Sequence, residues 1–260
     1  FSSIQTKEKV TEIGGERMIE FINVSKKYAN GVIGLHNINI QIGSGEFLFI
    51  IGPSGAGKSS LLKMINRQEK ATGGQLVVKG VDITQMSRFK VPQLRRQIGV
   101  VFQDFKLLQK MTVYQNVAFA LEAIGLPSNE VREKAIAAIE LVGLKNKMRF
   151  YPNQLSGGEQ QRVAIARAIA NNPDIIIADE PTGNLDSKTT EQILSIIESI
   201  VSDGKLVIMV THSEKVASHA DRIIEIQDGN IIKDSKCNLN INHSNSKNDL
   251  KVRARNKNLA

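Results

Sequence analysis

The chain has 260 residues, 41% of them hydrophobic, and a formal net charge of +8. That length can bury a full core, as one α/β domain with a subdomain or as two small domains. Its one cysteine, Cys237, excludes an internal disulfide and suits a reducing cytoplasm. The histidines (His36, His212, His219, His243) lack metal-ligand spacing, and no apolar run approaches the roughly 18 residues that span a bilayer. A membrane role therefore has to go through a partner.

The charge is unevenly placed. Six basic residues (Lys236, Lys247, Lys251, Arg253, Arg255, Lys257) stand against Asp249, so +5 of the +8 falls in the last 25 residues. That distribution argues against a folded nucleic-acid surface, and no specific nucleic acid is expected as a partner. The segment 234–260 is Asn-rich and poor in large apolar side chains, so it is expected to be a disordered tail, with contact to anionic lipid as an added role.

In chain order, residues 1–17 are polar, carry no signal-peptide core, and are expected to be a disordered extension before Met18. Gly14-Gly15-Glu16-Arg17 could be encoded by a purine-rich ribosome-binding stretch, which makes Met18 the expected start of translation. Residues 18–52 read as β-rich: Ile19 to Val24 is strand-like, and Ile38, Ile40 and Ile42 alternate with polar residues. The apolar run Phe47 to Ile51 then meets Gly52-Pro53-Ser54-Gly55-Ala56-Gly57-Lys58-Ser59, followed by a helix over Ser60 to Asn66. Gly73-Gly74 opens another strand pair, and Ile98 to Phe102 is a short strand ending at Gln103. Val113 to Ala123 and Val131 to Val142 have helical periodicity, separated by Gly125 and Pro127, so residues 104–170 read as a helical subdomain inserted into an α/β core. Strands return at Ile175 to Ala178 and Leu206 to Val210. No internal repeat is visible, so one unit is expected over 18–233.

The glycine-rich loop has the pattern G-x-x-x-x-G-K-[ST] between a strand and a helix. Such a loop cradles phosphates: glycines let the backbone turn its N–H groups inward, and the helix adds its positive end. Lys58 would reach the β- and γ-phosphates of ATP, and Ser59 would ligate Mg²⁺. Ile175-Ile176-Ile177-Ala178-Asp179 is the second nucleoside-triphosphatase element, delivering Asp179 to the Mg²⁺, while Glu180 is placed to polarise the attacking water. Taken alone, Asp179-Glu180-Pro181 could be a plain helix-start acid pair. Four strands end in polar residues suited to this work: at Gly52, Gln103, Asp179-Glu180 and His212. In a mostly parallel sheet those ends share one edge. Leu155-Ser156-Gly157-Gly158-Glu159-Gln160 is a second glycine-rich helix opening, with Ser156 as N-cap and a further set of exposed amides.

These motifs, in this order, resemble the ATP-binding-cassette (ABC) family over Met18 to about Lys233. The resemblance implies a P-loop ATPase core: a mixed, mostly parallel α/β sheet with flanking helices, an antiparallel β subdomain at the N-terminus and an inserted helical signature subdomain. It implies a homodimer in the ATP-bound state, in which Ser156, Gly157, Gly158 and Glu159 reach the γ-phosphate held by the other copy. It further implies that Tyr28 stacks on adenine and that Ser60 lies at the nucleotide. Gln103 senses Mg²⁺ and the water, Asp186 in Asn184-Leu185-Asp186 crosses the dimer interface, and His212 contacts the γ-phosphate.

Within the family, Met18-Ile19-Glu20-Phe21, Val101 to Leu108 and Thr112 to Leu121 resemble the cell-division branch. That likeness implies an FtsX-like integral membrane partner, a place on the cytoplasmic face of the bacterial inner membrane, and a cycle passed to cell-wall hydrolases. Phe105, Leu107, Leu108 and Met111 would form the apolar docking cluster, with interior packing as the alternative for some of them. The ATPase of an exporter or lipoprotein-releasing complex shares most of these motifs and stays open as the alternative.

Overall fold

The computed structural model describes residues 16–183, 185–211 and 219–237. Alternation of apolar and polar residues near the start builds an antiparallel sheet. In it β1 (Arg17–Lys27) pairs with β2 (Ile33–Gly43) on one side and β4 (Gly73–Val78) on the other, and β4 pairs with β5 (Val81–Asp82). Ile38, Ile40 and Ile42 are all buried, as their spacing requires.

The second sheet holds β3 (Phe47–Ile51), β6 (Ile98–Val101), β7 (Ile175–Asp179), β8 (Leu206–Val210), β9 (Arg222–Gln227) and β10 (Asn230–Lys236). Its order is β10-β9-β3-β8-β7-β6, parallel throughout except for the antiparallel edge strand β10. Strands β3, β7 and β8 are near-continuous apolar runs because both faces of the sheet are covered. In β3 the alternation divides the core: Leu48 and Ile50 point to the layer shared with the antiparallel sheet and α1 (Lys58–Ile65), while Phe47 and Phe49 point to the helical layer. That second layer holds α3 (Val113–Glu122), α4 (Ser128–Leu141), α5 (Gly157–Ile169) and α6 (Ser187–Ser202). A short α2 (Val91–Arg96) precedes β6.

Helices α3, α4 and α5 fall within 104–170, and they pack into the same core as the sheet. Val117, Leu121, Val131 and Ile139 share one cluster with Phe49, Ile176 and Met209 of the sheet. Helix α5 makes this continuity: a Cβ on Gly99 of β6 would lie 2.6 Å from the carbonyl of Ala168, so sheet and helix touch through backbone.

The expected boundaries need correction at both ends. Arg17 already pairs with Gly43, and Asp234 to Lys236 belong to β10 rather than to a tail. The reason is Arg222, which is buried and forks onto Asp234 with two 2.7 Å bonds, while its Nη1 donates to Gln41 O and Glu46. The disorder expected of residues 1–15 and 238–260, and the lipid contact of the tail, lie outside the described residues. Among the described residues no helix is long and apolar enough to cross a membrane.

One buried amide sets the approach to α3. Asn116, with no exposed surface, donates to the carbonyls of Leu108, Met111 and Thr112 and accepts from the Leu108 N–H at 2.8 Å. The Asn116→Ala variant removes the hydrogen-bond partner of the Leu108 N–H and of the Met111 carbonyl, while the Leu108 and Thr112 carbonyls keep backbone donors, and urea unfolding should show a loss of about 2–4 kcal/mol. A loss below about 0.5 kcal/mol would mean that the amide does not hold this turn.

Candidate active site

Parallel register brings the four polar strand ends to one edge. Ile50 pairs with Val210, Val210 with Asp179, and Ala178 with Val101, so Ile51, Thr211, Glu180 and Gln103 follow side by side, with Gly52 one residue beyond. Cross-bonds continue past the strands: the Thr211 N–H donates to Ile50 O, and the Glu180 N–H to Val210 O. His212 lies outside the described residues, as does Asn184.

The loop after β3 wraps through left-handed glycines, with φ of 144° at Gly52, 79° at Gly55 and 108° at Gly57. Two of these are also fixed by space. A Cβ on Gly52 would stand 2.0 Å from Ile226 O, and one on Gly57 would stand 2.3 Å from Gly34 O. Gly57 is also the N-cap of α1; it supplies no side-chain cap, and the first turn has no acidic residue. The opening amides of α1 are thus left for an anion. Lys58, 7% exposed, donates to the carbonyls of Gly52 at 2.7 Å and Pro53 at 2.8 Å, which places its ammonium inside the loop.

Beside the loop, the Ser59 hydroxyl donates to Asp179 Oδ1 at 3.3 Å, across 120 residues of sequence. Burial pushes the Asp179 carboxyl up, with the Glu180 carboxylate adding to the rise, against the Ser59 hydrogen bond and the Lys63 and Lys58 charges. A half-buried carboxylate and a hydroxyl next to a lysine-lined anion loop are the hard oxygen donors that suit Mg²⁺ on a triphosphate, so these residues fit that ion. Glu180 adopts φ of 47°, a left-handed conformation unusual for a glutamate. A Cβ on Gly183 would lie 3.5 Å from Gln103 Nε2 and 3.6 Å from Glu180 Oε2, so both side chains converge on that glycine.

Tyr28 stands at the rim. Its hydroxyl lies 2.8 Å from Ser60 Oγ, its ring packs against Gly34, and Lys26 Nζ sits 4.9 Å from the ring centroid. Sequence reasoning missed Lys26 and Gly34. The only signal for Lys26 is a burial that becomes visible once its ammonium reaches Glu69 and the Lys70 carbonyl.

The second glycine-rich element heads α5, away from these residues. Ser156 is the N-cap in a capping box with Glu159, at 3.3 Å and 3.0 Å. A hydrogen bond from Lys147 holds the Glu159 carboxyl below the usual range. Gly158 leaves no room for a side chain against Thr189, and Gly157 neighbours Leu185 and Phe105. Asp186 caps α6, accepting from the Thr189 N–H at 3.0 Å and hydroxyl at 2.6 Å, and these bonds keep its pKa low. Within one chain Gly157 and Gly158 therefore face Leu185 and Thr189. Of the four expected docking residues, Leu107 is buried and Leu108 is exposed.

Comparison with known proteins agrees with this geometry. The family model described as ABC transporter matches residues 35–183. The chain is 50% identical over 218 residues to the cell division ATP-binding protein FtsE of Bacillus subtilis, covering 84% of this chain and 96% of that protein. It is 45% identical over 218 residues to FtsE of Streptococcus pneumoniae, covering 84% and 95%. Among solved structures, a dimeric post-hydrolysis state of the ATP-binding cassette MJ0796 bound to ADP and Pi superposes with a TM-score of 0.78 at 40% identity, covering 84% of this chain and 98% of that one.

The Asp179 shift has a consequence for stability. Folding raises this carboxyl above its ordinary 3.8, so its charge opposes folding at neutral pH, and the penalty vanishes once the group is protonated in both states below 3.8. Melting in EDTA should therefore show Asp179→Asn more stable than the parent at pH 7, with the gap closing as the pH falls toward 4. A variant that melts lower at pH 7 would contradict this.

Proposed function

This chain belongs to the ABC transporter family of ATPases, and we propose that it is the ATP-hydrolysing subunit of a cell-division complex of the FtsE–FtsX type. The observation that carries the reading is the meeting of the phosphate loop, the Ser59–Asp179 pair, Glu180 and Gln103 at adjacent ends of one parallel sheet. The FtsE proteins that match it over most of their length supply the division role.

In this reading the nucleotide-binding domain spans the paired strands from Arg17 to Lys236. Tyr28 stacks on adenine, with its hydroxyl tethered to Ser60. The backbone N–H groups of the loop from Gly52 to Ser60, Pro53 excepted, together with Lys58, hold the phosphates. Ser59, Asp179 and Gln103 would hold Mg²⁺, which when bound supplies positive charge to the triphosphate oxygens. Glu180 orients the attacking water and draws on its proton, and His212 contacts the γ-phosphate. Phosphoryl transfer demands in-line placement and charge stabilisation more than covalent help, and these residues divide that labour.

ATP closes two copies, with Ser156, Gly157, Gly158 and Glu159 of each meeting the nucleotide of the other and Asp186 at the seam. Closure moves an FtsX-like membrane protein docked near Asp104 to Tyr114, with the chain on the inner face of the bacterial membrane, and hydrolysis resets the pair. Exposed Leu108, beside half-buried Phe105 and Met111, supports that docking face.

The Glu180→Gln variant should keep ATP binding, lose turnover by at least about a hundredfold, and trap a dimer. Pulled from detergent-solubilised native membranes with ATP, it should carry an FtsX-like protein identified by mass spectrometry. A transport permease or lipoprotein-release subunit in its place would overturn the division role, and unchanged turnover would remove Glu180 from its role. The Ser156→Arg variant should bind nucleotide as a monomer and fail to dimerise with ATP. Normal dimers on sizing columns would refute the cross-copy contact.

A further inference from the structure

Two consecutive residues behind Gln103 adopt the left-handed conformation, Phe105 with φ of 54° and Lys106 with φ of 47°. Side chains of this size rarely take such angles without support from outside the turn. The support is on α5. Arg167 donates from Nη2 to Phe105 O at 2.8 Å and from Nη1 to Lys106 O at 2.6 Å, so one planar guanidinium meets both carbonyls of the strained pair. Burial lowers the Arg167 pKa, so the cation is kept here against a desolvation penalty.

The turn has fixed neighbours on each side. Before it, the polar end of β6 carries Gln103 to the Gly183 that Glu180 also reaches. After it, Asn116 clamps Leu108, Met111 and Thr112. Within it, Lys106 folds back so that its Nζ lies 4.6 Å from the Phe102 ring centroid, and the Phe105 ring reaches to 3.9 Å from the Cβ position of Gly157. The conformation of these two residues therefore decides how Gln103 is placed relative to the glycines heading α5.

We infer that Arg167 is a positioning residue for ATP hydrolysis: its fork holds the Phe105–Lys106 turn, and the turn ties Gln103 to Gly157 at the head of the same helix. This rests on the ATPase reading above. The Arg167 guanidinium spends its hydrogen bonds on the carbonyls of Phe105 and Lys106 rather than on the phosphate loop, so its effect should fall on turnover and not on ATP affinity.

The test uses the full chain with Mg²⁺ and ATP. Arg167→Lys keeps the positive charge and the helix propensity but replaces the planar fork with a point donor. It should lower kcat about tenfold and leave the KM for ATP within about twofold. Lys106→Gly, added to Arg167→Lys, removes the cost of the left-handed angle at 106 and should bring kcat back to within about threefold of the parent. A purely structural role for Arg167 would not be rescued this way. Parental kcat in Arg167→Lys, or a loss that Lys106→Gly does not restore, overturns the inference while leaving the ATPase reading intact. A parent chain without ATPase activity overturns both.

Discussion

The phosphate loop keeps its shape because two carbonyl oxygens stand where side chains would otherwise be. Ile226 O, from β9, fills the place of a Cβ at Gly52, and Gly34 O, from β2, fills that at Gly57. The loop is thus clasped between strands of both sheets, and any residue but glycine at either point would push the sheets apart. The Gly229 N–H donates to Ala56 O, and the His36 N–H to Gly229 O, so the turn between β9 and β10 is sewn to the loop and to β2. Sheet packing and anion binding are one constraint here: the amides can turn inward only because the two layers close on the loop's back.

That arrangement concentrates charge at the edge of the sheet. Lys58 is almost fully buried, and it spends its protons on the carbonyls of its own loop. Asp179 is pushed toward its neutral form by burial and by Glu180 next door. The Asp179 charge is therefore not at its electrostatic best in the chain alone. A triphosphate with its metal would complement both Lys58 and Asp179, and the gain on binding is larger for having been withheld from the fold. The left-handed backbone at Glu180 belongs to the same pattern, strain placed where the chemistry is.

How far the sequence can be read follows from how local each signal is. The phosphate loop, the run ending in Asp179 and the Ser156 cap are short motifs whose physics is contained in a few neighbouring residues, and the structure places them on the expected strands and helices. Strands buried on both faces announce themselves as apolar runs. The β9–β10 hairpin did not, because its edge strand is polar and largely exposed, and it is held by the Arg222 fork onto Asp234 together with Gln41 and Glu46 from far away in the chain. A basic, polar stretch after Lys233 reads as the start of a tail until that buried arginine is seen. Arg167 and Lys26 were silent for the same reason. Each is one more cation in a sequence rich in them, and only tertiary contacts single them out.

Ser156 shows how one residue can serve fold and function together. Its hydroxyl oxygen accepts from the Glu159 N–H, while its own N–H goes to the Glu159 carboxylate, so the head of α5 is closed by a complete capping box. Closing the cap uses an acceptor lone pair and leaves the hydroxyl proton free to donate. A serine in this role stiffens the helix start and still presents a donor, beside exposed Gly157, to an anion arriving from outside the chain. Glu159 is drawn back toward Lys147, which lowers the repulsion that a carboxylate at this helix start would otherwise offer to a phosphate. The cap, the ion pair and the open glycine together are what the proposed cross-copy contact would draw on. Two copies facing each other would complete it.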